Sequence, residues 1–333
     1  MDFIKKTEMQ DADVILYHGK TWLAKAIRFF DGSNINHAGL YLGLEKVGEA
    51  LANGLTKRSF QESIKDNEYV IIRRLKSHHD TMKPVLEKAK TYISAGNRYA
   101  YEQIILLAFL CLTRKLHVNA RLDCLIRKIL DEAANMTLLM EQGKKQPMIC
   151  SEFVYRCYDE ALPSSTDPYS LDINPFPRAT LTSEKKLSYS GVHRDSLLAW
   201  ATDVITIKKG ASSDLLFSLE DSKSKKKLLE ERNLDELIEQ YLFEVKGPLR
   251  STFDVEASIR NAEMLASIKN FAEAYYQTSI KGEKEAVGPV TMKIVEGEIP
   301  AAFAYLLGTV ANFVTPGDFL NCQNLYSVGN VSP

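Results

Sequence analysis

A cysteine and a histidine stand at the starts of two short runs that lie far apart in the sequence. Cys150 opens the run Cys150–Tyr158, and His37 opens the run His37–Gly43. A thiol attacks carbon as the thiolate, which is favoured by the N–H groups and dipole of a helix N-terminus and by an adjacent imidazole. The two residues therefore suggest a nucleophile and its base.

The residues around Cys150 predict that a helix begins there. Pro147 stops any preceding helix, while Val154 and Cys157 recur from Cys150 at helical spacing. The same helix end offers backbone N–H donors, including that of Cys150, to the oxyanion that forms during acyl transfer.

The run from His37 predicts a strand, because Leu40 and Leu42 alternate with smaller or amphipathic residues between a turn over 31–34 and Gly43. A histidine at the mouth of this strand is expected to be rigid and partly open. A third group must orient the imidazole and stabilise its cation.

Glu49 is our choice for that third group. It follows His37 by twelve positions and lies in a predicted neighbouring strand over 46–51. Three other residues could replace it: Asn36, Asn53 and Glu152.

Read in order, these runs resemble a known superfamily. His37-Ala38-Gly39-Leu40-Tyr41-Leu42-Gly43, then Glu49-Ala50, then Cys150-Ser151-Glu152-Phe153-Val154 is similar to the circularly permuted papain-like proteins. This branch of the NlpC-type amidases includes the lecithin:retinol acyltransferase-like proteins and bacterial YiiX-like proteins. In ordinary papain-like chains the cysteine precedes the histidine. The resemblance implies an α+β fold, with a small antiparallel sheet packed on the nucleophile helix and with helical insertions.

Further segments extend the resemblance. Ala12-Asp13-Val14-Ile15-Leu16 resembles the family's first Gly-Asp-aliphatic strand, with Ala12 in place of glycine. Gly96-Asn97-Arg98-Tyr99 resembles a Gly-x-x-Tyr step, which implies that Tyr99 lines the site; Tyr101 and Tyr17 are its competitors. We assign substrate binding to Tyr99, Ser151 and Tyr17. Thr315–Phe319 and Leu325–Gly329 resemble the closing segment and last strand.

Composition favours a soluble enzyme without a cofactor. The 333 residues are 45% hydrophobic and 26% charged with a net charge of −1, which gives no general attraction to nucleic acid. The five cysteines form no CxxC pair, which argues against a disulfide framework and a zinc site. Phosphate-loop, GxGxxG and HExxH motifs are missing. The first residues lack a secretory signal, so we expect a cytoplasmic protein or one exported without a classical signal peptide.

The predicted organisation has three parts. Residues 1–211 form the catalytic core, including a helical hairpin at about 101–140; residues 212–313 form a mainly helical insertion; and residues 314–333 return to the core. Within these parts, the sequence predicts a short strand over 204–207 and helices over 228–243 and 255–276. The apolar run 104–112 is shorter than the ~20 residues of a membrane-spanning helix.

We expect a cysteine hydrolase that cleaves an amide or peptide bond through a thioester. One alternative is an acyltransferase that moves a fatty acyl group to an amine or hydroxyl, with the hairpin as a lid over an acyl pocket or a surface for peripheral membrane contact. Another is a catalytically silent binding module. The expected partner is a peptide, amino-acyl or lipid-acyl substrate; the oligomeric state is not predicted.

Overall fold

The structure is a computed structural model of the chain. It describes residues 8–51, 54–77, 81–95, 98–99, 102–113, 120–142, 146–162, 168–173, 196–208, 257–286, 301–311 and 313–333. The chain divides into two compact units. The first contains Met1–Leu106, Lys145–Pro177 and Phe313–Pro333, and the second contains Leu107–Lys144 and Arg178–Asn312.

The first unit is built on a six-stranded sheet in which every pair of neighbouring strands is antiparallel, in the order β4-β3-β2-β1-β5-β8. A short parallel pair, β6 and β7, forms a separate two-stranded sheet. The strands are β1 Val14–Gly19, β2 His37–Gly43, β3 Lys46–Leu51, β4 Gly54–Ser59, β5 Asn67–Leu75, β6 Arg98–Tyr99, β7 Gln146–Pro147 and β8 Leu325–Val331.

Ten helices occur in the described part of the chain, so the predicted α+β class is confirmed. They are α1 Trp22–Asp31, α2 Phe60–Ile64, α3 Lys83–Ala95, α4 Glu102–Thr113, α5 Ala120–Gln142, α6 Cys150–Asp159, α7 Leu197–Lys208, α8 Ala257–Ala286, α9 Ala301–Ala311 and α10 Asp318–Asn321. No helix in the described ranges combines the length and apolar character needed to cross a membrane.

The sheet is buried on both faces, and alternate residues of each strand separate them. The first face carries Val14, Leu16, Ala38 and Leu40, which join a core cluster with side chains of α3 and α6. The second face carries a smaller cluster that includes Ile15, Tyr17, Tyr41, Val47, Phe60 and Val70. Apolar residues at successive positions of β1 therefore serve two different cores.

Helix α6 begins at Cys150, as the sequence predicts, and packs on the first face against β2 and β3. Its buried residues follow a helical spacing along one side: Cys150, Phe153, Val154, Cys157 and Tyr158. Gly48 makes room for this helix, since a Cβ there would lie 3.2 Å from Cζ of Phe153. The Glu152 carboxylate accepts a hydrogen bond from the Ile149 N–H at 3.3 Å, which satisfies one donor at the helix start.

The entry to β1 is held by a buried ion pair and an unusual backbone angle. Asp13 accepts hydrogen bonds from Nε and Nη2 of Arg74 at 2.7 and 2.8 Å. Ala12 has a φ of 64°, in the left-handed region that favours glycine, and its carbonyl accepts a hydrogen bond from the Tyr158 hydroxyl. This is the position at which the family resemblance aligns a glycine.

The C-terminal segment joins the same sheet. Asp318 caps its own short helix, because the Thr315 N–H donates to the Asp318 carboxylate at 2.7 Å. After α10, β8 pairs with β5 at the edge of the sheet, from Leu75↔Leu325 to Val70↔Val331. The predicted last strand, Leu325–Gly329, lies within β8.

The second unit is helical in its described residues. α5 lies along α8, where Arg127 forms an ion pair with Glu263 and the Thr278 hydroxyl donates to the Thr137 carbonyl at 3.1 Å. On α4, the Phe109 ring contacts Phe271 and Tyr275 of α8, with ring centroids 5.7 and 5.2 Å apart. The helices predicted over 101–140 and 255–276 are confirmed as α4, α5 and α8. The helices of the predicted hairpin thus contact α8 through residues grouped with the second unit.

The predicted strand over 204–207 is wrong, because these residues belong to α7. β-branched residues favour strands locally, but Ser196 accepts a hydrogen bond from the Ala199 N–H at 3.2 Å and starts a helix. Leu198, Ala201 and Thr202 are then buried at helical spacing. The predicted helix over 228–243 lies outside the described residues.

Candidate active site

Four polar side chains form a row on the second face of the sheet, one from each of four neighbouring strands. Tyr17 of β1 lies opposite His37 of β2, and Gly39 lies opposite Glu49 of β3, so Glu49 is a diagonal neighbour of His37. Val47 lies opposite Arg58 of β4, which makes Arg58 a diagonal neighbour of Glu49. We call Tyr17, His37, Glu49 and Arg58 the polar row.

His37 and Glu49 form the centre of the polar row. Nε2 of His37 lies 3.2 Å from Oε2 of Glu49, and the two residues are only 6% and 1% exposed. A carboxylate accepts hydrogen bonds, so this contact assigns the ring proton to Nε2 and makes Nδ1 the acceptor nitrogen of the neutral imidazole. The arrangement gives a base with a fixed tautomer.

Arg58 approaches the other oxygen of Glu49. Its Nη1 lies 3.4 Å from Oε1 of Glu49, and its Nη2 donates to the Glu62 carbonyl at 2.7 Å. The Arg58 side chain is 32% exposed, whereas the Glu49 side chain is 2% exposed. Sequence reasoning missed Arg58, because its proximity to Glu49 depends on the β3–β4 register.

Tyr17 lies at the other end of the row. Its ring centroid is 5.0 Å from that of His37, and its hydroxyl lies 2.5 Å from Oγ of Ser63. Burial raises the pKa of Tyr17 well above its ordinary value, and the charge of Glu49 raises this pKa further; a thiolate at Cys150 acts in the same direction. Gly39 leaves the space for this hydroxyl, since a Cβ there would lie 3.0 Å from it.

Cys150 is the first residue of α6, the helix that packs on the first face of the sheet. The first intrahelical hydrogen bond runs from the Phe153 N–H to the Ile149 carbonyl at 2.9 Å, so the N–H groups of Cys150 and Ser151 precede it. Oγ of Ser151 is buried and has no hydrogen-bond partner among the described residues. This end of the helix therefore combines a thiol with a buried hydroxyl and with N–H groups that precede the intrahelical hydrogen bonds.

The burial of the site differs from the expectation of a partly open histidine, which is wrong. Cys150 is 0% exposed and His37 is 6% exposed. Packing closes the strand mouth from both sides, because neighbouring residues on both faces of the sheet belong to core clusters. A substrate can contact the thiol only after nearby atoms move.

The alternative orienting residues have other contacts. Oδ1 of Asn36 accepts from the Gly19 N–H at 2.7 Å, and Glu152 accepts from Nε of Arg156 at 2.8 Å. Asn53 lies outside the described residues. Glu49 is the candidate that the structure brings to His37.

Tyr99 is described only through its backbone. In the parallel pair of β6 and β7, Tyr99 lies opposite Pro147, three residues before Cys150. This places its main chain beside the segment that leads into α6. The side chain of Tyr99 and all of Tyr101 lie outside the described residues.

The second unit contains a groove whose lining residues differ from the polar row and from Cys150. It has a volume of about 250 Å³ between α5 and α8, and its lining is mainly acidic or amide-bearing: Asp131, Ala134, Asn135, Leu138, Asn270, Glu273, Ala274 and Gln277. The apolar run on α4 does not line it. From Leu107 to Leu112 that run is 0% exposed.

Comparisons with known proteins add little to this geometry. No family profile and no curated protein matches the chain. Among solved structures, the metalloprotein yiiX from Escherichia coli O157:H7 aligns with 17% identity and a TM-score of 0.29, over 46% of this chain and 67% of that chain. A score this low carries no argument about fold or function. The described residues of the present chain contain no cluster of three or more His, Cys, Asp or Glu side chains that could hold a metal ion.

Proposed function

We propose that the chain is a cysteine-nucleophile hydrolase that cleaves an amide or peptide bond through a thioester, on a permuted papain-like arrangement. The observation that carries this proposal is the buried pair of His37 and Glu49 on β2 and β3, the two strands that also contact a helix beginning at a cysteine. Burial of a carboxylate costs free energy, and in a catalytic pair that carboxylate orients the histidine and stabilises its imidazolium. Helix α6 packs on the first face and His37 lies on the second, so the reaction requires that the Cys150 sulfur and the His37 ring come into contact.

The reaction begins when Nδ1 of His37 takes the thiol proton and Glu49 stabilises the resulting imidazolium. The Cys150 thiolate attacks the carbonyl carbon, and the backbone N–H at the start of α6 donates to the oxyanion. The tetrahedral intermediate collapses as His37 gives its proton to the leaving amine. A thioester on Cys150 remains.

Water completes the cycle. His37 accepts a proton from a water molecule that attacks the thioester carbon, and the second tetrahedral intermediate expels the thiolate. The products are an acid and the regenerated enzyme. Ser151 and Tyr99 are the proposed substrate contacts; for Ser151 the support is its buried hydroxyl, whose missing hydrogen bond a substrate group would supply.

Two further features support the permuted arrangement. Ala12 has the backbone angle expected of the glycine in the Gly-Asp-aliphatic strand, and the adjacent Asp13 is held by Arg74. β8 returns to the sheet at the position where the last family strand is expected. Both features lie within the described residues of the first unit.

The acyltransferase alternative receives no comparable support. Its predicted acyl pocket relied on the apolar run 104–112, yet Leu106–Leu112 are 0% exposed and Phe109 contacts aromatic rings of α8. Apolar side chains used in this packing are not available to a fatty acyl chain. We therefore favour water as the second nucleophile.

Intact-protein mass spectrometry tests the proposal. Short peptide amides and amino-acyl amides are expected to acylate Cys150 transiently and to be hydrolysed, while Cys150→Ala gives neither adduct nor product. A stable adduct from a long-chain acyl thioester, transferred to an amine, would instead support the acyltransferase. Absence of both reactions, with Cys150 no more reactive than Cys124, would support the silent binding module.

A further inference from the structure

We propose that Arg58 is a positioning residue for the reaction: it holds Glu49 in the orientation that binds His37. This inference rests on the proposed function and adds a fourth member to the proposed triad. Arg58 touches neither Cys150 nor His37 in this role. It acts through Glu49.

The geometry gives each Glu49 oxygen one cationic or potentially cationic neighbour. Oε2 lies 3.2 Å from the His37 ring, and Oε1 lies 3.4 Å from Nη1 of Arg58. Oε1 accepts no hydrogen bond within the described part of the chain. The ionic contact with Arg58 is therefore the described interaction that balances this oxygen.

Burial makes that balance necessary. Glu49 is 1% exposed, and an isolated carboxylate at such depth is strongly unfavourable. When His37 is neutral, Arg58 is the cation beside Glu49. The other titratable groups coupled to this end of the sheet, Tyr17 and Cys150, carry no positive charge.

Arg58 also has a shape that suits this position. One guanidinium nitrogen faces Glu49 while another donates to the Glu62 carbonyl. Glu62 is itself fixed, because its carboxylate accepts hydrogen bonds from the N–H and hydroxyl of Ser59 at 3.0 and 2.6 Å. A lysine has a single nitrogen and cannot keep both contacts in this planar geometry.

The test measures the rate of Cys150 alkylation by iodoacetamide as a function of pH in full-length Arg58→Ala and Arg58→Lys proteins. Near pH 7 we expect Arg58→Ala to react about tenfold more slowly than wild type, within the range of coupling energies for neighbouring polar groups. Above about pH 9 an ordinary thiol ionises without help, so the difference should disappear. Guanidinium chloride should restore part of the rate near pH 7, and sodium chloride at the same ionic strength should not.

Lys57→Ala is the matched control, because Lys57 is the exposed neighbour on the same strand and points away from the polar row. It should react like wild type. A rate loss of equal size at all pH values, without guanidinium rescue, would show that Arg58 only supports the fold. If Arg58→Ala does not fold, Arg58→Lys carries the test, with a smaller loss and the same pH dependence.

The outcomes separate this inference from the proposed function. Unchanged alkylation in both Arg58 variants, with reactivity that still depends on His37, would refute the role of Arg58 and leave the hydrolase intact. If Cys150 is alkylated at the same rate in the wild type and in a folded His37→Ala protein, the proposed function itself is refuted.

Discussion

The two faces of the six-stranded sheet are built from the same strands, but the second face adds buried polar side chains to its apolar cluster. Residues such as Leu16 and Leu40 on the first face pack against α6 and contribute apolar burial. On the second face, the alternate positions in the same strands carry Tyr17, His37 and Glu49. Apolar burial stabilises the fold, whereas buried polar groups cost free energy unless they are paired. The difference indicates that the second face was not shaped by stability alone.

The largest expected effect of a substitution in the polar row is on the reactivity of the Cys150 thiol. Cys124 is partly exposed, whereas Cys111 and Cys150 are buried. Burial raises the pKa of the Cys111 thiol. Accessibility alone therefore predicts that iodoacetamide modifies Cys124 first. We expect Cys150 to react first near pH 7, and His37→Ala to slow it by about a hundredfold, as general-base removal does. Peptide mapping by mass spectrometry measures both.

Cys124→Ser is the control, since it removes the accessible thiol without touching the polar row. Preferential modification of Cys124 in the wild type would contradict an activated Cys150. So would a His37→Ala protein that remains folded and keeps its Cys150 reactivity.

A substitution on the first face should lower the stability of the fold and leave the reactivity of Cys150 nearly unchanged. Leu40 is fully buried among side chains that contact α6, so Leu40→Ala should lower the free energy of unfolding by about 3 kcal/mol. Under conditions where the variant is still folded, Cys150 should keep most of its alkylation rate. Urea unfolding measures the first quantity and timed alkylation the second.

A paired variant of the second face completes this test. His37→Leu with Glu49→Leu removes both partners of a buried hydrogen bond and replaces them by apolar groups, which can be nearly neutral or stabilising. We expect little loss of stability and complete loss of His37-dependent reactivity. A loss as large as that of Leu40→Ala would show that the polar row is mainly structural.

Alkaline pH should weaken the first unit through tyrosines on both sides of the sheet. Burial raises the pKa of Tyr17 and of Tyr158 well above the ordinary value. Above about pH 10 the unfolded chain therefore loses these protons before the folded one, so stability is present below that pH and falls as pH rises, by up to about 1.4 kcal/mol per pH unit for each group. Tyr17→Phe should reduce the slope. Thermal unfolding between about pH 9 and pH 11 checks this.

The sequence predicts the local elements of this site and misses the contacts that depend on register. The start of α6 at Cys150 and the limits of β2 follow from periodicity and breakers over a few residues. Arg58 and Ser63 reach the site only because β3 pairs with β4 and α2 follows, and no local pattern fixes that register. The strand predicted at 204–207 fails for a different reason, since burial along α7 overrides local propensity.

The smallest expected effect concerns the turn that sets the register between His37 and Glu49. Leu44 and Glu45 connect β2 to β3 with φ values of 51° and 54°, and Leu44 is 94% exposed. Two positive φ values in a two-residue hairpin turn favour Asn-Gly, and leucine gains nothing there from burial. Leu44→Asn with Glu45→Gly should therefore raise the free energy of unfolding by about 1 kcal/mol, as urea unfolding measures. Because the register is retained, Cys150 alkylation should be unchanged.

Leu162→Asn is the control, since Leu162 is also exposed but lacks a positive φ. This substitution should not raise the free energy of unfolding. Altered alkylation in the turn variant would mean that the native turn holds His37 and Glu49 in a register that an ideal turn does not reproduce.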